Sequence, residues 1–437
     1  MISQNMKGIL SIASSMIINV VAGSFYIWSS INLYYVSYLK LHDSPNMEIN
    51  DGYFMMPLIN YLSASLQFLG ATLENKFGLK FCLFIGMIIS IISNLILYYS
   101  TSQFIIYLAM IGIGTSVAIL VIPSIKNALL YFPNKKGLIN GLTLFGYGCS
   151  SFIYNTIAQK CINPNYVLVD QKTKLFPKNI AENVKHFIYV INYISAIAYI
   201  IAFLLSYPYN KKNEKEKKKE LVEKEEIVVD PVKQAFKDKT VYQIMIMTFI
   251  MRFFGVLTTN TYRTFGQLNN VSEKLLANLS IVYGIVNGVI RLFWGILFDK
   301  FGFKKLYFIC VSSQIIILFT IFGSVNIPYL FFIIVIFEAI VSSGNTCLMV
   351  SVYPKIYDIK YYSMIYSLTN IFVGLSTLLG PVFIKLLIKK VDDYMYLYMT
   401  GGIIVGIDFI FLCFFNEDKF IFKKDGRKEE ELIESKN

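Results

Sequence analysis

The 437-residue chain is 55% hydrophobic and only 16% charged, with a mean hydropathy of +0.56, a composition typical of membrane proteins and not of soluble ones. The formal charge of +12 does not indicate a nucleic-acid partner, because the basic residues flank apolar runs, where they fix the orientation of membrane helices. The two histidines and six scattered cysteines have no metal spacing. We therefore expect no metal, no cofactor and no enzyme activity.

Apolar runs of membrane-spanning length follow one another along the chain. A helix needs about 20 apolar residues to cross a hydrocarbon core of about 30 Å. Twelve runs qualify, at 8–39, 53–75, 80–100, 103–129, 137–158, 187–208, 241–263, 274–298, 304–324, 327–351, 361–387 and 394–415. We predict an all-α integral membrane protein with twelve transmembrane helices.

One long polar segment, rich in lysine and glutamate, divides these runs into six and six. We predict an N-terminal six-helix bundle at 1–208, a cytoplasmic charged linker at 209–240, a C-terminal six-helix bundle at 241–415 and a cytoplasmic charged tail at 416–437. The lysines favour the cytosol, and an even number of spans puts both termini there. The lysine-rich loop at 159–186 is an exception, since it falls outside. The plasma membrane is the default location, and an organelle membrane is the alternative.

A short loop sequence occurs twice, half a chain apart and each time between two apolar runs. The copies are Gly70-Ala-Thr-Leu-Glu74-Asn-Lys76-Phe-Gly78-Leu-Lys80 and Gly295-Ile-Leu-Phe-Asp299-Lys300-Phe-Gly302-Phe-Lys304. Glycines allow a tight turn and close helix contact, and the acid can accept hydrogen bonds at a neighbouring helix N-terminus. We expect both loops to gate one side of the protein, through Gly70, Glu74, Gly78, Gly295, Asp299, Lys300, Gly302 and Lys304.

The second copy fits the signature Gly-x3-Asp-[Arg/Lys]-x-Gly-x-[Arg/Lys] of the major facilitator superfamily at every position. The first copy departs from it, with Glu74 in place of the aspartate and Asn75 inserted before the lysine. The chain resembles this superfamily over its whole length. The resemblance implies the major facilitator fold, with two six-helix bundles and a substrate site between them that opens alternately to each side.

A second set of residues resembles the oxalate:formate antiporter and monocarboxylate transporter group. It includes Tyr131-Phe-Pro133-Asn-Lys135-Lys136-Gly137-Leu-Ile-Asn-Gly141, the first-span residues Asn19, Gly23, Tyr26 and Trp28, and Tyr362-Ser-Met-Ile-Tyr366. The glycines are individually weak signals, because small residues are common where membrane helices pack. The ordered set is typical of the group, but it does not specify the substrate.

Arg291 is the leading candidate for substrate binding. It lies eight residues before Asp299, or about 12 Å from the end of its span, and so near the membrane centre. An arginine there faces a cavity or a partner, and guanidinium matches carboxylate with two parallel hydrogen bonds. In the resembling group, an arginine four residues before the motif glycine binds the substrate carboxylate, and Arg291 has that spacing from Gly295. A charge pair with Glu338 is the alternative.

Several positions depart from that group. Asn287, one turn from Arg291, stands where monocarboxylate transporters typically have an aspartate that takes part in proton coupling. Ser30 stands near the place of the first-span lysine, and Thr369 replaces the eleventh-span lysine of the oxalate transporter. These departures weaken lactate-type proton symport and dicarboxylate exchange, and one arginine without a second cation suits one carboxylate.

Arg252 and Glu338 also lie near mid-membrane, in the seventh and tenth spans. In the resembling fold those spans line the central cavity, so the two side chains could form a buried ion pair. Alternatively, Arg252 is a second substrate cation, or Glu338 carries a proton. Tyr26, Trp28 and Tyr147 are candidate cavity aromatics, for which ordinary helix packing is equally consistent.

The sequence therefore predicts a secondary active transporter for a small organic anion, with a monocarboxylate as the favoured class, that works as a monomer in contact with lipid. A co-transported proton or an exchanged anion would supply the coupling. The alternatives are a carrier of a neutral or zwitterionic metabolite or drug with structural arginines, and a non-transporting receptor on a transporter fold.

Overall fold

The protein is described here by a computed structural model that covers residues 3–42, 55–165, 167, 175–209, 235–269, 271–357, 359–387 and 393–415. The predicted tail at 416–437 and most of the predicted linker, at 210–234, lie outside these residues.

The first half is helical, and its helices follow the predicted spans with two interruptions. The first predicted span, 8–39, comprises α1 (Gln4–Ala22), a 3₁₀ turn (Gly23–Ile27) and α2 (Trp28–His42). The second, 53–75, divides at Leu66 into α3 (Met55–Ser65) and α4 (Gln67–Phe77). The remaining helices are α5 (Leu79–Tyr99), α6 (Gln103–Tyr131), α7 (Lys136–Ile162), the short α8 (Lys178–Ala181) and α9 (Asn183–Leu205).

The second half contains one long helix for each of its six predicted spans. They are α10 (Lys239–Leu268), α11 (Glu273–Phe301), α12 (Phe303–Ser324), α13 (Pro328–Ile356), α14 (Ile359–Leu387) and α15 (Asp393–Cys413). Among the described residues, ten helical segments are long and apolar enough to cross a membrane. The second predicted span is not among them because α3 and α4 have 11 residues each, and neither is α7, whose sequence is rich in glycine and polar residues.

The two repeated loops have the same backbone geometry. Gly78 ends α4 with φ 85° and ψ 169°, and Gly302 ends α11 with φ 79° and ψ −178°. A residue with a side chain rarely adopts a positive φ of this kind, so each glycine permits the turn into the next helix. We call the end of the molecule at which these two loops lie the motif end.

The last lysine of each loop performs the same structural task in its own half. Lys80 donates to the carbonyl of Phe203 at the C-terminus of α9. Lys304 donates to the carbonyls of Cys413 and Phe415, at 3.1 and 2.9 Å, at the C-terminus of α15. The final carbonyls of a helix lack partners within the helix and carry partial negative charge. Each motif lysine therefore caps the last helix of its bundle.

The two halves meet most closely along α7 and α11, where glycines face one another. A Cβ atom added to Gly148 would lie 1.9 Å from Gly288 Cα, and one added to Gly137 would lie 2.3 Å from the carbonyl oxygen of Gly295. The backbones are in direct contact at both places, as in membrane helix pairs built on small residues. Asn140 of α7 also donates to Ser351 Oγ of α13 at 3.1 Å, so polar contacts join the halves as well.

Candidate functional site

A cavity of about 130 Å³ lies between the two halves. Helices α3, α4, α6 and α7 of the first half and α10, α11, α13 and α14 of the second contribute to its wall. Two arginines, Arg252 and Arg291, line it, and none of the described residues in its wall is acidic. The cavity is therefore positively charged and enclosed by apolar helices, which suits an anion.

Arg291 is held from both halves of the protein. Its side chain is 7% exposed, and Nη2 donates to Asn287 Oδ1 at 2.7 Å, one turn earlier on α11. Nη1 donates across the interface to the carbonyl of Leu144 on α7 at 3.2 Å. Asn287 is not among the residues that line the cavity; it orients the guanidinium that does.

The opposite wall of the cavity has a second polar group, on α10 and α13. Arg252 Nη1 donates to Thr346 Oγ1 at 3.3 Å. Asn345 is 5% exposed and lines the cavity, and its Oδ1 has no hydrogen-bond partner within the described part of the chain. A buried polar atom without a partner costs about 1–3 kcal/mol. A ligand in the cavity could satisfy this atom.

Glu338 does not reach the cavity, and the hypothesised ion pair with Arg252 is not formed among the described residues. Its carboxylate is 0% exposed and lies behind α10, where a Cβ on Gly255 would be 3.7 Å from Oε1. Gln314 is a polar neighbour, but within the described part of the chain neither carboxylate oxygen has a hydrogen bond of ordinary geometry. Arg252 points instead to Thr346, since both face the cavity from adjacent helices.

Of the three predicted cavity aromatics, the structure describes the side chain of Tyr147. Tyr147 lines the cavity. The side chains of Tyr26 and Trp28 lie outside the described part of the structure, although their backbone forms the 3₁₀ turn and the start of α2.

The cavity wall also contains a buried pair of amide side chains that we did not predict from the sequence. Asn370 of α14 donates to Gln67 Oε1 of α4 at 2.8 Å, and this bond joins the two halves. Both residues line the cavity, as does the adjacent Thr369. The signal that could have found the pair is a polar amide within each of two apolar runs, where an amide needs a partner.

At the motif end, Asp299 joins the second loop to the first half of the protein. Its two carboxylate oxygens accept hydrogen bonds from the backbone amides of Gly137 and Leu138, each at 2.8 Å. These amides belong to the N-terminus of α7, where the helix dipole also favours a negative charge. The acid of the first loop binds within its own half, because Glu74 pairs with the buried Lys126 of α6 at 3.0 Å.

The substitution Asp299→Asn should weaken closure of the motif end, because the amide of asparagine offers one acceptor oxygen where the carboxylate offers two. We expect faster labelling of a cysteine introduced on the cavity wall by a membrane-impermeant thiol reagent applied from the motif end. The matched change Glu74→Gln should not accelerate labelling, since Glu74 holds Lys126 within one half. Equal labelling of wild type and Asp299→Asn would contradict this role.

Comparison with known proteins identifies the family. The family model described as Major Facilitator Superfamily matches residues 20–270 and 260–434. The chain belongs to the major facilitator superfamily. It is thus a multi-pass membrane transporter with two six-helix bundles, and the cavity lies between those bundles.

Solved structures of other major facilitator superfamily members share this fold. The transporter FucP in its outward conformation superposes with a TM-score of 0.68 at 10% identity, over 93% of this chain and 99% of that one. The proton:xylose symporter XylE, bound to 6-bromo-6-deoxy-D-glucose, gives a TM-score of 0.65 at 13% identity, over 94% and 95% of the two chains. A search of curated proteins found no match. At these identities the likeness concerns the fold alone.

Proposed function

We propose that the protein transports a small organic anion, with a monocarboxylate as the best-fitting class, by alternating access. The observation that carries this proposal is a cavity between the halves with two arginines and no acidic residue among its described lining. Excess positive charge in a low-dielectric site is stabilised by an anionic ligand. The resemblance to the oxalate:formate and monocarboxylate group supports the same substrate class.

Arg291 is the residue we assign to the substrate carboxylate. It is the more buried of the two cavity arginines, and its guanidinium is already oriented by Asn287. Its bond to the carbonyl of Leu144 joins the halves. A carboxylate that exchanged with this carbonyl would be the stronger, charge-assisted acceptor. Substrate binding would in this way be coupled to the contact between the halves.

Arg252 and Asn345 form the opposite wall and would contact the remainder of the substrate, with Tyr147 shaping its space. If a dicarboxylate inhibited uptake more strongly than the corresponding monocarboxylate, we would conclude that Arg252 binds a second carboxylate group.

The rival proposal is a carrier of neutral or zwitterionic compounds with structural arginines. Competition of uptake by carboxylates and by their amides separates the two, because an amide keeps the shape of the acid and loses its charge. Saturable flux in liposomes would exclude a non-transporting receptor.

Glu338 is our proposal for the proton-coupling residue. Its carboxylate is fully buried, and no basic group pairs with it among the described residues, so its charge would be poorly compensated there. Its polar neighbours among the described residues include Gln314, Tyr283 and Tyr398, and none of these three carries a positive charge. A proton could leave when the halves rock and α10 moves.

The substitution Glu338→Gln should remove the pH dependence of uptake, because glutamine has the shape of the protonated acid and cannot lose a proton. We expect wild-type uptake to rise as the pH on the substrate side falls and the variant to give a flat profile. Asp408→Asn is the matched control: Asp408 is also 0% exposed, but it is hydrogen-bonded by Tyr307 at 2.6 Å. If uptake by Glu338→Gln kept the wild-type pH dependence, Glu338 would not be the proton-coupling residue.

We further propose that the motif end faces the cytoplasm, with both termini, the linker and the tail on that side, and that the protein is a monomer of the plasma membrane. Lysine-rich segments at the motif end support this orientation. An organelle membrane is the alternative, and imaging of a tagged full-length chain would distinguish them.

A further inference from the structure

A second, polar cleft of about 370 Å³ opens at the motif end, apart from the central cavity. Its wall consists of the segment before α7, the second repeated loop and the last turn of α13. Three lysines line it, Lys136, Lys300 and Lys355, against one acid, Asp299. The lysines outnumber the acid, so the cleft carries a net positive charge.

The acid of this cleft is already bonded, and the lysines come from both halves of the protein. The Asp299 carboxylate accepts the two α7 amides, so much of its charge is compensated by the helix N-terminus. Lys136 belongs to the first half and donates to the carbonyl of Pro354 in the second. Lys300 and Lys355 belong to the second half and lie 5.2 and 5.9 Å from the ring centroids of Phe301 and Phe298.

We propose that this cleft binds a phosphate-bearing anion that stabilises the closed motif end. Lysine ammonium groups bind phosphate as point charges, and three from separate segments surround this one space. Because Lys136 would move away from Lys300 and Lys355 if the halves parted here, an anion between them binds the closed form better. By linkage, its binding favours closure and slows transport. The ligand is either the phosphate of a lipid headgroup or a soluble phosphate compound.

The test uses the purified full chain in phosphatidylcholine nanodiscs and follows its thermal unfolding midpoint. One arm adds inorganic pyrophosphate, with sodium chloride at equal ionic strength as the reference. The other arm incorporates a phosphatidylinositol phosphate and adds no soluble anion. A ligand that binds only the folded state raises the midpoint with its concentration. Stabilisation in the first arm assigns the site to soluble phosphates, and stabilisation in the second arm alone assigns it to lipid.

Three variants make the result specific to the cleft. Lys300→Gln with Lys355→Gln should raise the half-saturating concentration at least about tenfold, since each lost charge near the anion weakens binding. Lys300→Gln alone changes only an exposed side chain, so it still tests the cleft if the double variant does not fold. Lys76→Gln, an exposed lysine of the first loop outside this cleft, should leave the response unchanged.

The proposal is overturned by no stabilisation in either arm, by an unchanged response in the double variant, or by an equal loss in Lys76→Gln. Arg291→Ala should retain the response, because the cleft does not include the central cavity. If Arg291→Ala lost the response, the phosphate would bind in the central cavity. That result would refute the separate site, but it would not refute an anion-binding cavity.

Discussion

Arg291→Ala should abolish transport while the protein still reaches the membrane. The alanine removes the guanidinium that we assign to the substrate carboxylate, and truncation of a buried, hydrogen-bonded charge costs about 2–5 kcal/mol. Because each 1.4 kcal/mol is tenfold in affinity, even the lower value predicts uptake at least about thirtyfold lower at subsaturating substrate. The measurement is uptake of a radiolabelled carboxylate into proteoliposomes at matched protein content.

Two further variants show whether charge or geometry matters at this position. Arg291→Lys keeps the charge but loses the planar pair of donors, and we expect partial activity. Asn287→Ala removes the acceptor that orients the guanidinium at 2.7 Å and should raise KM with a smaller effect on the maximal rate. Wild-type uptake by correctly inserted Arg291→Ala would remove Arg291 from the substrate site.

Gly148→Ala should block the close approach of the two halves. The added Cβ would lie 1.9 Å from Gly288 Cα, and its neighbours there are backbone atoms that cannot rotate away. Relief requires the α7 and α11 backbones to separate, and overpacking of this kind costs about 1–3 kcal/mol. The cycle should lose the conformation in which this crossing is closed. We expect uptake to fall about tenfold, measured in the same proteoliposome assay.

Gly284→Ala is the matched control for this steric prediction. Gly284 lies on the same helix, one turn before Gly288, and a Cβ there would be 3.7 Å from Ser151 Cβ, an ordinary van der Waals distance. This variant should transport at close to the wild-type rate. Equal activity of Gly148→Ala and Gly284→Ala would show that the crossing does not close during transport.

Much of the fold could be predicted because membrane spans and loop repeats have strong local signals. The hydrocarbon thickness sets the length of an apolar run, so helices such as α5, α12 and α15 follow their predicted runs within a few residues. The positive φ of Gly78 and Gly302 follows from the tight turn that the repeated motif requires. The breaks at Gly23–Ile27 and at Leu66 could not be predicted, because no proline marks either position and each lies inside a run long enough to be read as one span.

The candidate site could be predicted only in part, because depth in the membrane does not give the direction of a side chain. Arg291, Arg252 and Tyr147 line the cavity. Glu338 lies at a similar predicted depth but faces away from it, since it points towards Gly255 and α12. Gln67 and Asn370 are hydrogen-bonded although they lie 303 residues apart in the chain. Predicting such a pair requires knowledge of how the two bundles pack together.

The measurement that tests the central claim most directly is thermal stabilisation of the purified chain by small carboxylates, their amides, dicarboxylates and amino acids. A bound ligand stabilises the folded state according to its occupancy. We predict that monocarboxylates raise the unfolding midpoint of the wild type, that their amides do not, and that the effect disappears in Arg291→Ala. Stabilisation by neutral or zwitterionic compounds alone, undiminished in Arg291→Ala, would contradict the anion site and return Arg291 to a structural role.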